Sequence, residues 1–181
     1  MFAPLVFSWA LASAAVDLPV LKEAPKFSLN DSQGGKKTQA DLAGKVWVAD
    51  FIFTRCGGQC PFLTTKMSEL QKAFASEAGL RFVSFSVDPK NDTPKVLAGY
   101  AKKFGADTSR WFFLTGKPGQ VQELSEKGFV LAAGAGGEEA IAHSFRFVLV
   151  DKKGFIRGFY PVNEPSKLEE LRSAVTALLA E

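Results

Sequence analysis

Two cysteines and one histidine are all the thiol and imidazole groups this chain carries, so thiol or soft-metal chemistry has very few places to reside. Cys56 and Cys60 stand in Arg55-Cys56-Gly57-Gly58-Gln59-Cys60-Pro61, and His143 follows far downstream. Two thiolates at C-x-x-x-C spacing, on a loop made compliant by Gly57 and Gly58, can close a disulfide or hold one metal ion, and the spacing alone does not choose. A bridge between them would enclose too short a loop to staple a fold. With His143 beside them the two thiolates would make a soft donor set suited to copper, Cu(I) above all. A structural zinc site would require another Cys or His, and the chain has none left.

The surrounding pattern says how such groups would be held. Val46 to Phe53 is a near-continuous apolar, β-branched run broken only by Asp50, which predicts a strand buried on both faces. After the cysteine loop, Phe62, Leu63, Met67, Leu70 and Phe74 recur at helical spacing. Pro61 suits a first helical position, which predicts Cys60 at the N-cap. There the unpaired amides, with cationic Arg55 nearby, should depress its thiol pKa. Leu80 to Val87 reads as a second strand. Asp92-Thr93-Pro94 offers a cap and a first-turn proline for a helix through Phe104.

Trp111 to Leu114 reads as a third strand, and Val121 to Lys127 as a brief helix ended by Gly128. Phe145 to Val150 and Phe155 to Tyr160 flank the turn Asp151-Lys152-Lys153-Gly154 as a hairpin. Ser166 with Glu169 suggests a capping box for a final amphipathic helix. Ala24 to Gly44 reads as an N-terminal β-hairpin, and the Gly/Ala-rich Ala132 to Gly137 as a loop just before His143. The order is βαβα followed by ββα, an α/β pattern with a central mixed sheet flanked by helices.

Composition narrows the rest. The 181 residues, 46% hydrophobic with seventeen Phe, suffice for one domain with a substantial core, placed at 17–181. A net charge of +3, with lysine pairs scattered beside turns and no RNA- or DNA-reading motif, argues against a nucleic-acid partner. Residues 1–16 carry no charge and contain the small-x-small stretch Ala12-Ser13-Ala14, the mark of an export signal or a clipped membrane anchor. They lack a basic leader and fall short of the roughly 20 residues of a spanning helix.

Three segments occur in order: Phe51 to Pro61 around the cysteines, Ser84 to Pro94 with its Asp88-Pro89 element, and His143-Ser144-Phe145 through Asp151. Together they make the stretch from Lys22 to Leu179 resemble the SCO/SenC family of copper proteins. The resemblance implies a thioredoxin-like fold and copper held by Cys56, Cys60 and His143. It further implies a part in building the binuclear copper centre of cytochrome c oxidase, with subunit II or another apo-copper protein as recipient and an upstream copper donor. Asp88 matches the family's Asp-Pro element and, with Arg55, is a supporting residue; a direct Cu(I) ligand role is disfavoured by its hard oxygen donors. Gly57 stands where relatives commonly carry Pro, which loosens the loop.

Two functions compete. One is a metallochaperone, not an enzyme. The other is a thiol-disulfide reductase using Cys56 and Cys60 as a redox-active dithiol. C-x-x-x-C in place of C-x-x-C, and Ala142-His143-Ser144 where a cis-proline would stand, favour metal. A peroxidase fits poorly, because Thr54 lies two rather than three residues before Cys56. Export to the bacterial periplasm or the outer face of the inner membrane, with a membrane tether, is the expected location; the mitochondrial intermembrane space is the alternative, disfavoured by the lack of an Arg- and Ser-rich leader.

Overall fold

The computed structural model describes residues 18–129 and 145–181. The expected export segment, the Ala132 to Gly137 loop and His143 therefore lie outside the described residues. The elements run β1 (Lys22–Glu23), β2 (Ser28–Asp31), β3 (Lys36–Thr38), a 3-10 turn (Gln39–Leu42), β4 (Val46–Ile52), α1 (Gln59–Ala73), β5 (Leu80–Ser86), α2 (Pro94–Lys103) and β6 (Trp111–Thr115). There follow α3 (Gln120–Glu123), a π-helical turn (Leu124–Phe129), β7 (Arg146–Val150), β8 (Phe155–Pro161) and α4 (Pro165–Ala180).

The eight strands of the described residues join one mixed sheet in the order β1-β8-β7-β4-β5-β6-β2-β3. The βαβα segment supplies its parallel centre, β4 beside β5 and β5 beside β6, as crossover helices require. The later hairpin adds β7 and β8 antiparallel on the β4 side. The N-terminal hairpin β2–β3 forms as expected, but it extends the same sheet by pairing β2 with β6. β4 is buried at every position, which places the strand leading into Cys56 at the centre of the molecule.

Its two faces pack differently. Phe51 stacks on Phe85 at 5.1 Å and meets Phe129 edge-on at 5.5 Å, while Trp47 reaches Phe129 at 6.1 Å and Phe27 meets Phe85 at 5.2 Å. Phe129 belongs to the π-helical turn, so the expected stop at Gly128 does not occur. Gly128 serves a close approach instead: a Cβ there would come within 2.5 Å of Pro25. On the opposite face lie Asp50 and its register partner Ser84. The Ser84 hydroxyl accepts from the Trp111 indole at 3.0 Å, and Trp111 stacks on Phe113 at 5.0 Å.

Both ends of α1 are tied to the body. Just past its C-terminal end the Arg110 guanidinium donates to the carbonyls of Phe74 and Ala75 at 2.8 and 2.9 Å. Near its start, the Thr64 hydroxyl donates to the Cys60 carbonyl at 2.8 Å and shares a 2.9 Å hydrogen bond with the Tyr100 hydroxyl of α2. The capping box expected from Ser166 does not form. Pro165 takes the first helical position, which makes Glu164 the N-cap and places Ser166 inside α4.

Candidate functional site

The cysteine loop is the connection from the carboxyl end of β4 to α1, the position at which parallel α/β sheets build sites. The helix starts two residues earlier than Pro61 suggests: Gly58 is the N-cap, Cys60 lies in the first turn and Pro61 third. The first amides of a helix have no intrahelical acceptor, so a proline costs nothing there either. Cys56 is therefore the thiol facing the helix start. Cys60, fully buried, turns into the core.

This reverses the expected acidity. Burial pushes the Cys56 thiol up, but the amides of Cys60, Gly58 and Gln59 and the Cys60 thiol together outweigh it and hold Cys56 below an ordinary thiol. The Cys60 amide stands 3.4 Å from Cys56 Sγ. For Cys60, burial dominates and raises the pKa strongly. The Phe53 amide, donating to its Sγ at 3.5 Å, offsets only part of this, and negative charge on Cys56 and Asp50 adds to the rise. Both cysteines are free, and the dithiol pairs one thiol of lowered pKa with one of raised pKa.

Arg55 does not act on the thiols in the expected way. Its guanidinium donates through Nη2 and Nε to the Asp88 carboxylate at 2.8 and 3.1 Å, and it is absent from the main causes of either cysteine's shift. Asp88 also accepts from the Asn91 amide at 2.8 and 3.0 Å. Burial pushes its carboxyl up, and the Asn91 and Arg55 donors outweigh that and hold it below the usual range. Asp88 and Arg55 thus join the cysteine loop to the β5–α2 loop.

Two carboxylates missed as site residues stand beside them. Asp92 is buried and accepts from the Thr54 amide at 3.0 Å, the Thr54 hydroxyl at 2.5 Å and the Ser86 hydroxyl at 2.6 Å. The N-cap of α2 is Thr93, whose hydroxyl accepts from the Val96 amide. Asp50 is wholly buried and neither of its oxygens has a hydrogen-bond partner among the described residues. Burial pushes its pKa up to about 7; the nearby Ser84 hydroxyl offsets part of this without closing a hydrogen bond. The break that Asp50 makes in an apolar strand was the only sign of it in the sequence.

Among the described residues no cluster of three His, Cys, Asp or Glu side chains could hold a metal ion. Where the chain is again described past His143, Phe145 adopts a left-handed φ of 44° and its ring meets Phe62 of α1, 6.4 Å between centroids. Phe62 lies two residues beyond Cys60 and is exposed.

A buried parallel strand delivering a C-x-x-x-C dithiol to a helix start, with a late β-hairpin returning beside that strand, defines a thioredoxin-like α/β protein. The SCO1/SenC family profile matches residues 18–180. The chain belongs to the SCO1/SenC family. It is 33% identical over 173 residues to the SCO1 protein homolog of Bacillus subtilis (strain 168), spanning 94% of this chain and 90% of that protein. Among solved structures, BsSco, a member of the Sco family of cytochrome c oxidase assembly proteins described with a disulfide switch, superposes with a TM-score of 0.75 at 34% identity. That match covers 89% of this chain and 95% of BsSco. Yeast Sco1 with copper bound superposes with a TM-score of 0.69 at 25% identity, covering 86% and 94%.

Proposed function

We propose that the chain is a copper metallochaperone that takes Cu through Cys56, Cys60 and His143 and passes it to an apo-copper protein, subunit II of cytochrome c oxidase being the recipient its family suggests. The observation that carries the reading is the contact of Phe145 with Phe62. It puts a residue two positions after His143 against the first turn of the helix that carries Cys60. Yeast Sco1, a relative, holds copper, and BsSco belongs to a group of oxidase assembly proteins, which supports copper as cargo and an oxidase as destination.

The unequal thiols suit capture and release. Cys56 gives up its proton more readily than an ordinary thiol, and Cys60 surrenders its own only when a cation strong enough to displace it arrives. Cys60 then takes its proton back as a recipient thiolate draws the metal away. Copper is thus bound as cargo, exchanged between thiolates, rather than retained as a resident group.

The same inequality supports a second reading, a thiol-disulfide reductase. Cys56 would attack a target disulfide and Cys60 resolve the mixed disulfide, and the disulfide switch described for BsSco favours keeping this reading. An exported location, with the apolar residues 1–16 as signal or tether, accords with both. Among the described residues no helix is long and apolar enough to cross a membrane.

The deciding experiment is an anaerobic Cu(I) titration of the reduced protein against a chromophoric chelator, with His143→Ala and Cys60→Ser in parallel. One tight equivalent, weakened by both substitutions, is expected. Failure of the wild-type protein to compete with the chelator would overturn the chaperone reading and leave the reductase.

A further inference from the structure

We infer that Asp92 is a positioning residue for the dithiol: through Thr54 it clamps the turn that aims Cys56 at the start of α1, and so sets the balance between dithiol and disulfide. The inference deepens the proposed function, since it rests on Cys56 and Cys60 being the working pair.

The geometry is specific to this carboxylate. Thr54 lies inside the turn closed by the Cys56 amide donating to the Phe53 carbonyl at 3.2 Å. Asp92 takes both the amide and the hydroxyl of Thr54, and the Ser86 hydroxyl fixes the carboxylate from the end of β5. Asp92 is fully buried, whereas the neighbouring Arg55–Asp88 pair has a guanidinium 65% exposed to water. Hydrogen bonds to a buried carboxylate are strong and short, while exposed ion pairs contribute little.

On the other side of Cys56 the loop has no such brace among the described residues. Among the described residues, no atom beyond the adjacent residues lies within 4 Å of where a side chain would start at Gly57 or Gly58. The Cys60 amide reaches Cys56 Sγ, at 3.4 Å, only while that sulfur is held over the helix start. With two glycines following, that placement depends on the turn before the cysteine, and Asp92 holds it from 38 residues away in sequence.

The test is equilibration with glutathione, in which the protein dithiol and one glutathione disulfide exchange to the Cys56–Cys60 disulfide and two glutathiones. Two electrons and two protons leave the protein. Asp92→Asn and the near-isosteric Thr54→Val are measured singly and together, with circular dichroism to confirm folding. Loosening the turn withdraws the Cys60 amide from the Cys56 sulfur, a contact made by the free dithiol, and so favours the disulfide. Each variant should shift the equilibrium toward disulfide by about tenfold, ~30 mV for a two-electron couple. The pair together should shift it no further than the larger single change, because both break one clamp.

Folded variants within about twofold of the wild-type constant would reduce Asp92 to a support of the fold and overturn the inference. If Asp92→Asn does not fold, Thr54→Val decides. The exchange involves no copper, so a protein that fails the chelator titration yet shows the shift would lose the metal reading and keep the clamp.

Discussion

The backbone amide of Cys60 points at the sulfur of Cys56, 3.4 Å away, while the sulfur of Cys60 is turned into the core. One residue therefore stabilises charge on its neighbour and is denied it on itself. In separate single-cysteine variants at neutral pH, iodoacetamide should modify Cys56 at least about tenfold faster than Cys60, and denaturant should abolish the difference. Equal native rates would contradict the assigned order of acidity.

Asp50 makes stability depend on pH. Its folded pKa of about 7 lies above the ordinary 3.8, so the folded state holds the proton more tightly than the unfolded chain. That stabilisation is fully present below the lower value and is lost as pH rises through the higher one, on the order of 4 kcal/mol in all. Urea unfolding between about pH 4 and pH 8 should show the decline, and Asp50→Asn should flatten it. At the alkaline end the variant should be the more stable protein by about 2 kcal/mol, after the cost of burying an amide. A wild-type profile no steeper than that of the variant would refute this.

The two partners of the surface ion pair are not equivalent. Arg55→Ala removes a largely exposed guanidinium and should cost less than about 1 kcal/mol of stability. Asp88→Ala also strips the Asn91 amide of its acceptor and should cost about 1–2 kcal/mol. Denaturation midpoints at neutral pH and moderate salt would separate them; equal costs would mean that Asn91 finds another partner.

Phe129 fills the space between Trp47, Phe51 and Phe85 on the face of β4 away from Asp50. Phe129→Ala should destabilise by about 3–5 kcal/mol, because a cavity opens among rigid rings that cannot collapse into it. The Cys56 alkylation rate should remain near wild type, since the cysteine loop leaves the end of the strand.

The parallel centre of the sheet was legible because Val46 to Phe53 is too apolar to be anything but a doubly buried strand, Leu80 to Val87 alternates as a strand does, and Thr93-Pro94 marks a helix start by local chemistry alone. The error at Cys60 had a local cause: proline is tolerated in any of the first positions of a helix, so Pro61 could not fix the start to one residue. The order of the thiols was not legible, because burial, which decides it at Cys60, depends on what β4 and α2 bring from elsewhere. Asp92 shows the same limit. Its place beside a helix start suggested capping, while its true partner, Thr54, is brought near only by the pairing of β4 with β5. The resemblance drawn from three short segments agreed with the family later found, while the histidine among them falls outside the described residues.

Arg157 of β8 donates to the carbonyls of Leu18 and Pro19, to Asp151 and to Glu181, so a single guanidinium gathers the first described residues and the last. In mechanical terms this is a shared mooring. A pull on the chain ahead of Leu18 is borne at β8, with β7 standing between it and β4. The strand that leads into the cysteine loop is thereby shielded from load applied at the rim of the sheet.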